Sequence, residues 1–311
     1  FSSSSTLRMD AIDINLSGVV SGANALTLDA TGGTLTLSGA STYTGSTTLA
    51  GGALKADSST ALGSGSAVTL NNVSGASLTL LRDLSVGSLA GSGTTGGHIA
   101  LGGNNLTAGG NNTSTAYAGV ISGVGSLVKQ GTGILTLSGA STYSGNTTVS
   151  GGTLQLGSAA TLGGGTYSGA LSITSGATFD YASTAAQLLT GTVSGAGAVL
   201  KSGAGSLTLT GTNTYTGTTT VSAGTLQLGN NTATGTITSD VVNNAAMVFD
   251  YSADVSMGID ISGTGTVDVM GRSQTLFANY LTTSAQTVAS NASVAEVVNR
   301  LSGVINGGAQ F

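Results

Sequence analysis

The chain has 311 residues, of which 52 are Gly and 6% are charged, with a net charge of −5 and neither Cys nor Pro. Charged residues usually make up about a quarter of a domain; the seven Lys and Arg here stand singly, which excludes a basic stripe able to neutralise a row of phosphates, so nucleic acid is not an expected partner. Without Cys there are no disulfides, thiolate metal sites or cysteine nucleophiles, and no run of about 18 apolar residues is present to span a membrane as a helix.

Sequences rich in Gly, Ser and Thr are often flexible and coreless. Here hydrophobic residues reach 39% with a mean hydropathy of +0.32, and they alternate with polar ones in short runs, which predicts half-buried strands. In chain order, a β-like stretch near Met9 to Leu16 is followed by a Ser-Gly pair at Ser21 and then by a long motif. This first motif runs Gly33-Thr34-Leu35-Thr36-Leu37-Ser38-Gly39, Thr42-Tyr43-Thr44-Gly45, Thr47-Thr48-Leu49 and Gly52-Ala53-Leu54. A Gly-rich stretch from Thr94 to Gly103 holds His98, the sole His.

The motif returns as Gly133-Ile134-Leu135-Thr136-Leu137-Ser138-Gly139 with Thr142-Tyr143-Ser144-Gly145, Thr147-Thr148-Val149 and Gly152-Thr153-Leu154. It returns again as Gly205-Ser206-Leu207-Thr208-Leu209-Thr210-Gly211 with Thr214-Tyr215-Thr216-Gly217, Thr219-Thr220-Val221 and Gly224-Thr225-Leu226. Ser-Gly pairs at Ser122, Ser194 and Ser262, Lys129 and Lys201 four residues ahead of their motifs, and Phe-Asp-Tyr at Phe179 and Phe249 travel with the repeats. At the C-terminal end, Ser293-Val294-Ala295-Glu296 has the form of a capping box, followed by Val297, Val298, Leu301 and Gly303, which predicts one short amphipathic helix.

Strands this short, set at fixed period, are stable when each stacks on its equivalent in the next coil, giving a solenoid with one continuous core. Tyr43, Tyr143 and Tyr215 lie 100 and 72 residues apart, close to four and three coils of roughly 24 to 25 residues. About twelve coils at roughly 4.8 Å each predict a rod on the order of 60 Å long. Glycines are expected at corners that need positive φ. Pro has no place in a chain that is nearly all ladder.

The run G-x-L-T-L-(S/T)-G, T-Y-(T/S)-G, then G-x-L, over residues 33–54, 133–154 and 205–226, resembles the autotransporter-associated β-strand repeat of bacterial passenger domains. The resemblance implies an all-β fold, a right-handed parallel β-helix, placed over residues 1–270; the C-terminal pattern itself makes 271–311 a cap or subunit-contact segment carrying the short helix. It also implies an extracellular or cell-surface location in a Gram-negative bacterium and a role in adhesion, self-association or surface display. The alternating strands of the family's C-terminal membrane barrel are not found after residue 270.

Catalytic, cofactor-binding and metal-binding residues are each expected to be none, and the protein is not expected to be an enzyme. Asp180 and Asp250 are the one candidate acid–base pair for a polysaccharide-active β-helix, yet they recur with the repeat as turn residues do. His98 reads as a surface-loop residue, since a lone His makes neither a triad nor a metal site. Tyr43, Tyr143 and Tyr215 are either an exposed aromatic row for a sugar or protein, or rings packed at corners with wet hydroxyls. Expected partners are the chain itself, as a homo-oligomer or end-to-end filament, or a host or neighbouring cell surface or glycan.

Overall fold

The computed structural model describes residues 4–8, 12–91, 93–253, 255–271, 275–276 and 288–290. It is an all-β parallel solenoid of about 12 turns. Every strand pairing among the described residues is parallel; one isolated antiparallel bridge joins Ser74 to Gly96. The predicted helix at Ser293 to Gly303 lies outside the described residues.

Each coil is a short strand, a glycine corner and another short strand, repeated over three faces. Leu154, Phe179, Val199, Thr219, Val241 and Ile261 stand one above another on one face. Leu84, Leu106, Leu127, Thr147, Leu171 and Val193 do so on a second. A third carries Leu207, Leu226, Met247 and Val267. Two longer strands, Leu26–Leu37 and Thr47–Ala56, bend across a corner and join two faces. Alternation decides which side chains face in. In Thr153–Leu156 the leucines are buried and Thr153 and Gln155 are not, and stacked leucines such as Leu135 and Leu154 form one continuous core; each buried Leu contributes about 1.5–3 kcal/mol.

Coil length departs from the expected 24 to 25 residues. Paired positions range from 19 residues apart, Leu135 with Leu154, to 26, Gly91 with Tyr117. One visible motif is therefore a complete coil, its closing strand landing on its opening strand, as Leu207–Leu226 and Leu35–Leu54 also show. The shorter coil means the motifs are not whole coils apart. The closing strand of the second motif, at Leu154, stacks through Phe179 and Val199 onto the middle strand of the third, at Thr219, so the two motifs are turned by one face.

Only some of the motif glycines have the reason expected. Gly52, Gly152 and Gly224 do have positive φ, 77°, 58° and 66°. Gly39, Gly139 and Gly211 do not appear among the positive-φ residues; they are excluded from bearing a side chain by the coil beneath. A Cβ on Gly139 would stand 2.5 Å from the Gly119 carbonyl oxygen, and one on Gly211 2.6 Å from that of Gly191.

The candidate functional surface and its buried polar supports

The Ser-Gly pairs and the Thr-Tyr segments turn out to be two halves of one contact. The amide of Thr42 donates to the Val20 carbonyl and that of Thr44 to Gly22. Thr142 and Ser144 repeat this on Ile121 and Gly123, and Thr214 and Thr216 on Val193 and Gly195. The glycines share a φ of 118°, 110° and 102°, so each Val/Ile-Ser-Gly corner is a platform for the Thr-Tyr segment of the following coil.

Seated there, Tyr43, Tyr143 and Tyr215 are buried: the rings pack at corners as the second reading has it, while the exposed row and the wet hydroxyls are corrected. Each hydroxyl pairs with a Thr four residues on: Tyr143 with Thr147 at 2.7 Å, Tyr215 with Thr219 at 2.7 Å, Tyr43 with Thr47 at 2.5 Å. The Thr in turn meets Tyr167, Ser239 or Ser66 of the next coil, and the rings of Tyr143 and Tyr167 meet edge to face at 5.7 Å. Burial pushes the Tyr43 and Tyr167 phenols up to about 12.

Lys129 and Lys201 are 1% and 0% exposed. The Lys129 ammonium donates to the carbonyls of Gln130, Gly131 and Gly151 at 2.9 to 3.0 Å, and Lys201 to Gly203 and, at 3.0 Å, Ala223. Each lysine thus closes its own corner and ties it to the glycine corner of the following coil. The Lys201 ammonium lies 5.4 Å from the Tyr181 ring centre, a cation–π distance. Burial lowers its pKa to about 8, with Asp180 opposing. Their parity was a usable signal: in Leu127-Val128-Lys129 and Val199-Leu200-Lys201 the lysine takes the same side of the strand as a core residue.

These groups fix the pH response. Because native Lys201 gives up its proton near pH 8 and an unfolded lysine near 10.5, the unfolded chain holds more protons in between, and stability rises with pH across that window. Unfolded tyrosines ionise near pH 10 while the buried ones hold their protons to about 12, so stability then falls from about pH 10 upward. Because seven raised tyrosines oppose two lowered lysines, urea unfolding followed by circular dichroism should place maximum stability between about pH 9 and 10; a steady decline from pH 7 would refute it.

Asp180 and Asp250 are not brought together. Asp180 accepts from Gln155 at 2.8 Å and from Ser202, and Asp250 from Gln227 at 3.3 Å. They lie on different faces, Asp180 stacking upward through Leu200, Thr220 and Val242 before the chain turns to Asp250. Three coils at roughly 4.8 Å exceed the carboxyl spacing of about 5 to 9.5 Å that glycoside hydrolysis uses. His98 starts the strand His98–Ala100 and is not a loop residue; its Nδ1 accepts the Val120 amide of the following coil at 3.1 Å. Among the described residues no group of three or more His, Cys, Asp or Glu is placed to hold a metal.

What faces solvent is almost without charge. Between Asp83 and Asp240 the Lys, Arg, Asp and Glu residues are Lys129, Asp180 and Lys201 alone, and all three are buried. Every Tyr and Phe among the described residues is buried as well. One face shows an outward column of small side chains, Ser85, Thr107, Val128, Thr148, Ser172 and Ser194. Val124 and Ile134 are the large apolar residues exposed along this belt.

Fold and surface together define a repeat-built parallel β-solenoid with a nearly uncharged middle. Residues 32–56, 127–156 and 199–228 match the Passenger-associated-transport-repeat family, the latter two spans taking in Lys129 and Lys201, so the chain carries the autotransporter-associated repeats that its sequence resembles. The chain is also 42% identical over 130 residues to the Adhesin BmaC autotransporter of Brucella suis biovar 1 (strain 1330). That stretch is 41% of this chain and 4% of the relative, so the chain spans a small part of that protein's length. No solved structure matches the chain.

Proposed function

We propose that the chain is a section of an extracellular, non-enzymatic rod that serves adhesion or display at the surface of a Gram-negative bacterium. The observation that carries this is the set of three passenger-type repeats wound into one solenoid; likeness to an autotransporter adhesin supports it. In this reading the winding is right-handed, as connections between parallel strands nearly always are, and the segment after residue 270 caps the rod or contacts another subunit. Contacts of the uncharged middle are then short-range and insensitive to salt. A second reading, end-to-end assembly, is favoured by the nearly uncharged middle, where little like-charge repulsion keeps copies apart.

Trypsin tests the reading on intact, adherent cells that make the protein. Lys55 and Arg82 are exposed, Lys129 and Lys201 are not, and the next basic residue in sequence is Arg272. A shed fragment starting at Asp83 and extending through the uncut middle is expected, with loss of adherence in low and high salt alike. If the fragment appears only after lysis, or adherence survives its release, the proposal fails. Electron micrographs of the purified protein separate the readings, since regular fibres would favour assembly and single rods the first.

A further inference from the structure

We propose that the rod is N-glycosylated, and that its folded surface accommodates the sugar at Asn15, Asn72, Asn112 and Asn146. This rests on the chain being exported, as in the reading above, and otherwise on side-chain geometry.

Seven described asparagines stand in the sequence Asn-x-Ser/Thr: Asn15, Asn72, Asn105, Asn111, Asn112, Asn146 and Asn230, the pattern of N-glycan acceptors on exported proteins. A chain this rich in Ser and Thr will contain the pattern often, so the structure has to separate the seven. Four are exposed and use only their carbonyl oxygen. Asn72 Oδ1 accepts the amides of Thr95 at 3.0 Å and Gly96 at 3.2 Å, with the Thr95 hydroxyl at 2.9 Å. Asn112 Oδ1 accepts Thr132 N–H at 2.9 Å, Asn146 Oδ1 accepts Ala170 N–H at 3.0 Å, and Asn15 Oδ1 accepts the Ser38 hydroxyl at 2.9 Å. Their amide nitrogens have no protein partner among the described residues.

The other three differ. Asn105 Nδ2 donates to Asp83 at 3.1 Å and Asn111 Nδ2 to Ser88 at 3.0 Å, and Asn230 is half-buried with its oxygen holding a tight turn. A sugar on Nδ2 of Asn105 or Asn111 would take one of its two hydrogens and crowd the acceptor of a bond between coils.

In the transfer, Nδ2 forms a bond to the anomeric carbon of a glycosyl diphosphate, nucleotide- or lipid-linked. The carbon–oxygen bond to the diphosphate breaks and its electron pair leaves with the diphosphate, while a base of the separate transferase takes the Nδ2 proton. The oxygen is untouched, so each of the four keeps its contact to the following coil. Asn112 and Asn146 lie in the uncharged middle, where the sugars would add hydrated bulk without charge.

Intact-mass measurement and glycopeptide mapping of the protein taken from the cells that produce it are the test. Glycosyl additions are expected on peptides carrying Asn15, Asn72, Asn112 and Asn146, and none on Asn105 or Asn111. A mass equal to the polypeptide alone would overturn the proposal, and equal occupancy of Asn105 and Asn111 would overturn the selection by geometry. Shedding of the tryptic fragment from intact cells reports export separately, so a failure here is distinguishable from failure of the functional reading.

Discussion

Substituting Ala for Gly211 is expected to lower stability by about 3 kcal/mol, the upper part of the usual range for overpacking. The new Cβ would lie 2.6 Å from the Gly191 oxygen and 3.0 Å from its carbonyl carbon, where carbon contacts are normally about 3.5–4.0 Å. Relief requires lifting one coil off another, which strains the pairing of Leu207 with Leu226 above and of Leu189 with Leu209 below. Gly65→Ala is the control. Its Cβ would meet nothing within 4 Å and its φ is not positive, so it should be neutral or mildly stabilising through the unfolded state. Urea midpoints of the two variants check this, and equal midpoints would show that glycine is placed there for another reason.

Lys129→Met should lower stability by about 3 kcal/mol. Met fills much of the same space, but leaves the half-buried carbonyls of Gln130, Gly131 and Gly151 without a protein donor, at roughly 1 kcal/mol each, the low end for an orphaned acceptor. Against this stands the relief of no longer burying an ammonium, whose pKa burial lowers. Buried charges replaced by apolar groups are sometimes neutral or stabilising; here the orphaned acceptors outnumber the single charge removed. Thermal melts of the variant decide which term wins, and an unchanged or raised melting temperature would give it to desolvation. Amides around Gly151 should also exchange faster, since the lysine ties that corner to its own.

The three motifs show what was legible in the sequence. Alternation in Leu207-Thr208-Leu209 and its counterparts marks inward and outward side chains, and recurrence marks stacking, so parallel coils and their approximate number follow from residues alone. Coil length did not follow, because distances between motifs were read as whole coils while the structure places motifs a face apart. The glycines illustrate a second limit: a residue's need for no side chain at Gly139 comes from Gly119 in another coil, which no local pattern announces. Lys129 and Lys201 travel with the repeat, and only their strand parity marks them as inward-facing. The Thr-Tyr segment and the Ser-Gly corner were likewise seen separately, their contact being about 21 residues apart and invisible without the winding.

The one-face offset between the second and third motifs says something about how such a chain lengthens. A motif found begun on two different sides is a local instruction, closed after a single circuit and not tied to one phase of the molecule. Duplicating some twenty codons would then add one rung without disturbing those before or after it, and unequal recombination between the near-identical stretches would add or delete several. A chain built this way can change length in whole rungs while keeping one continuous core.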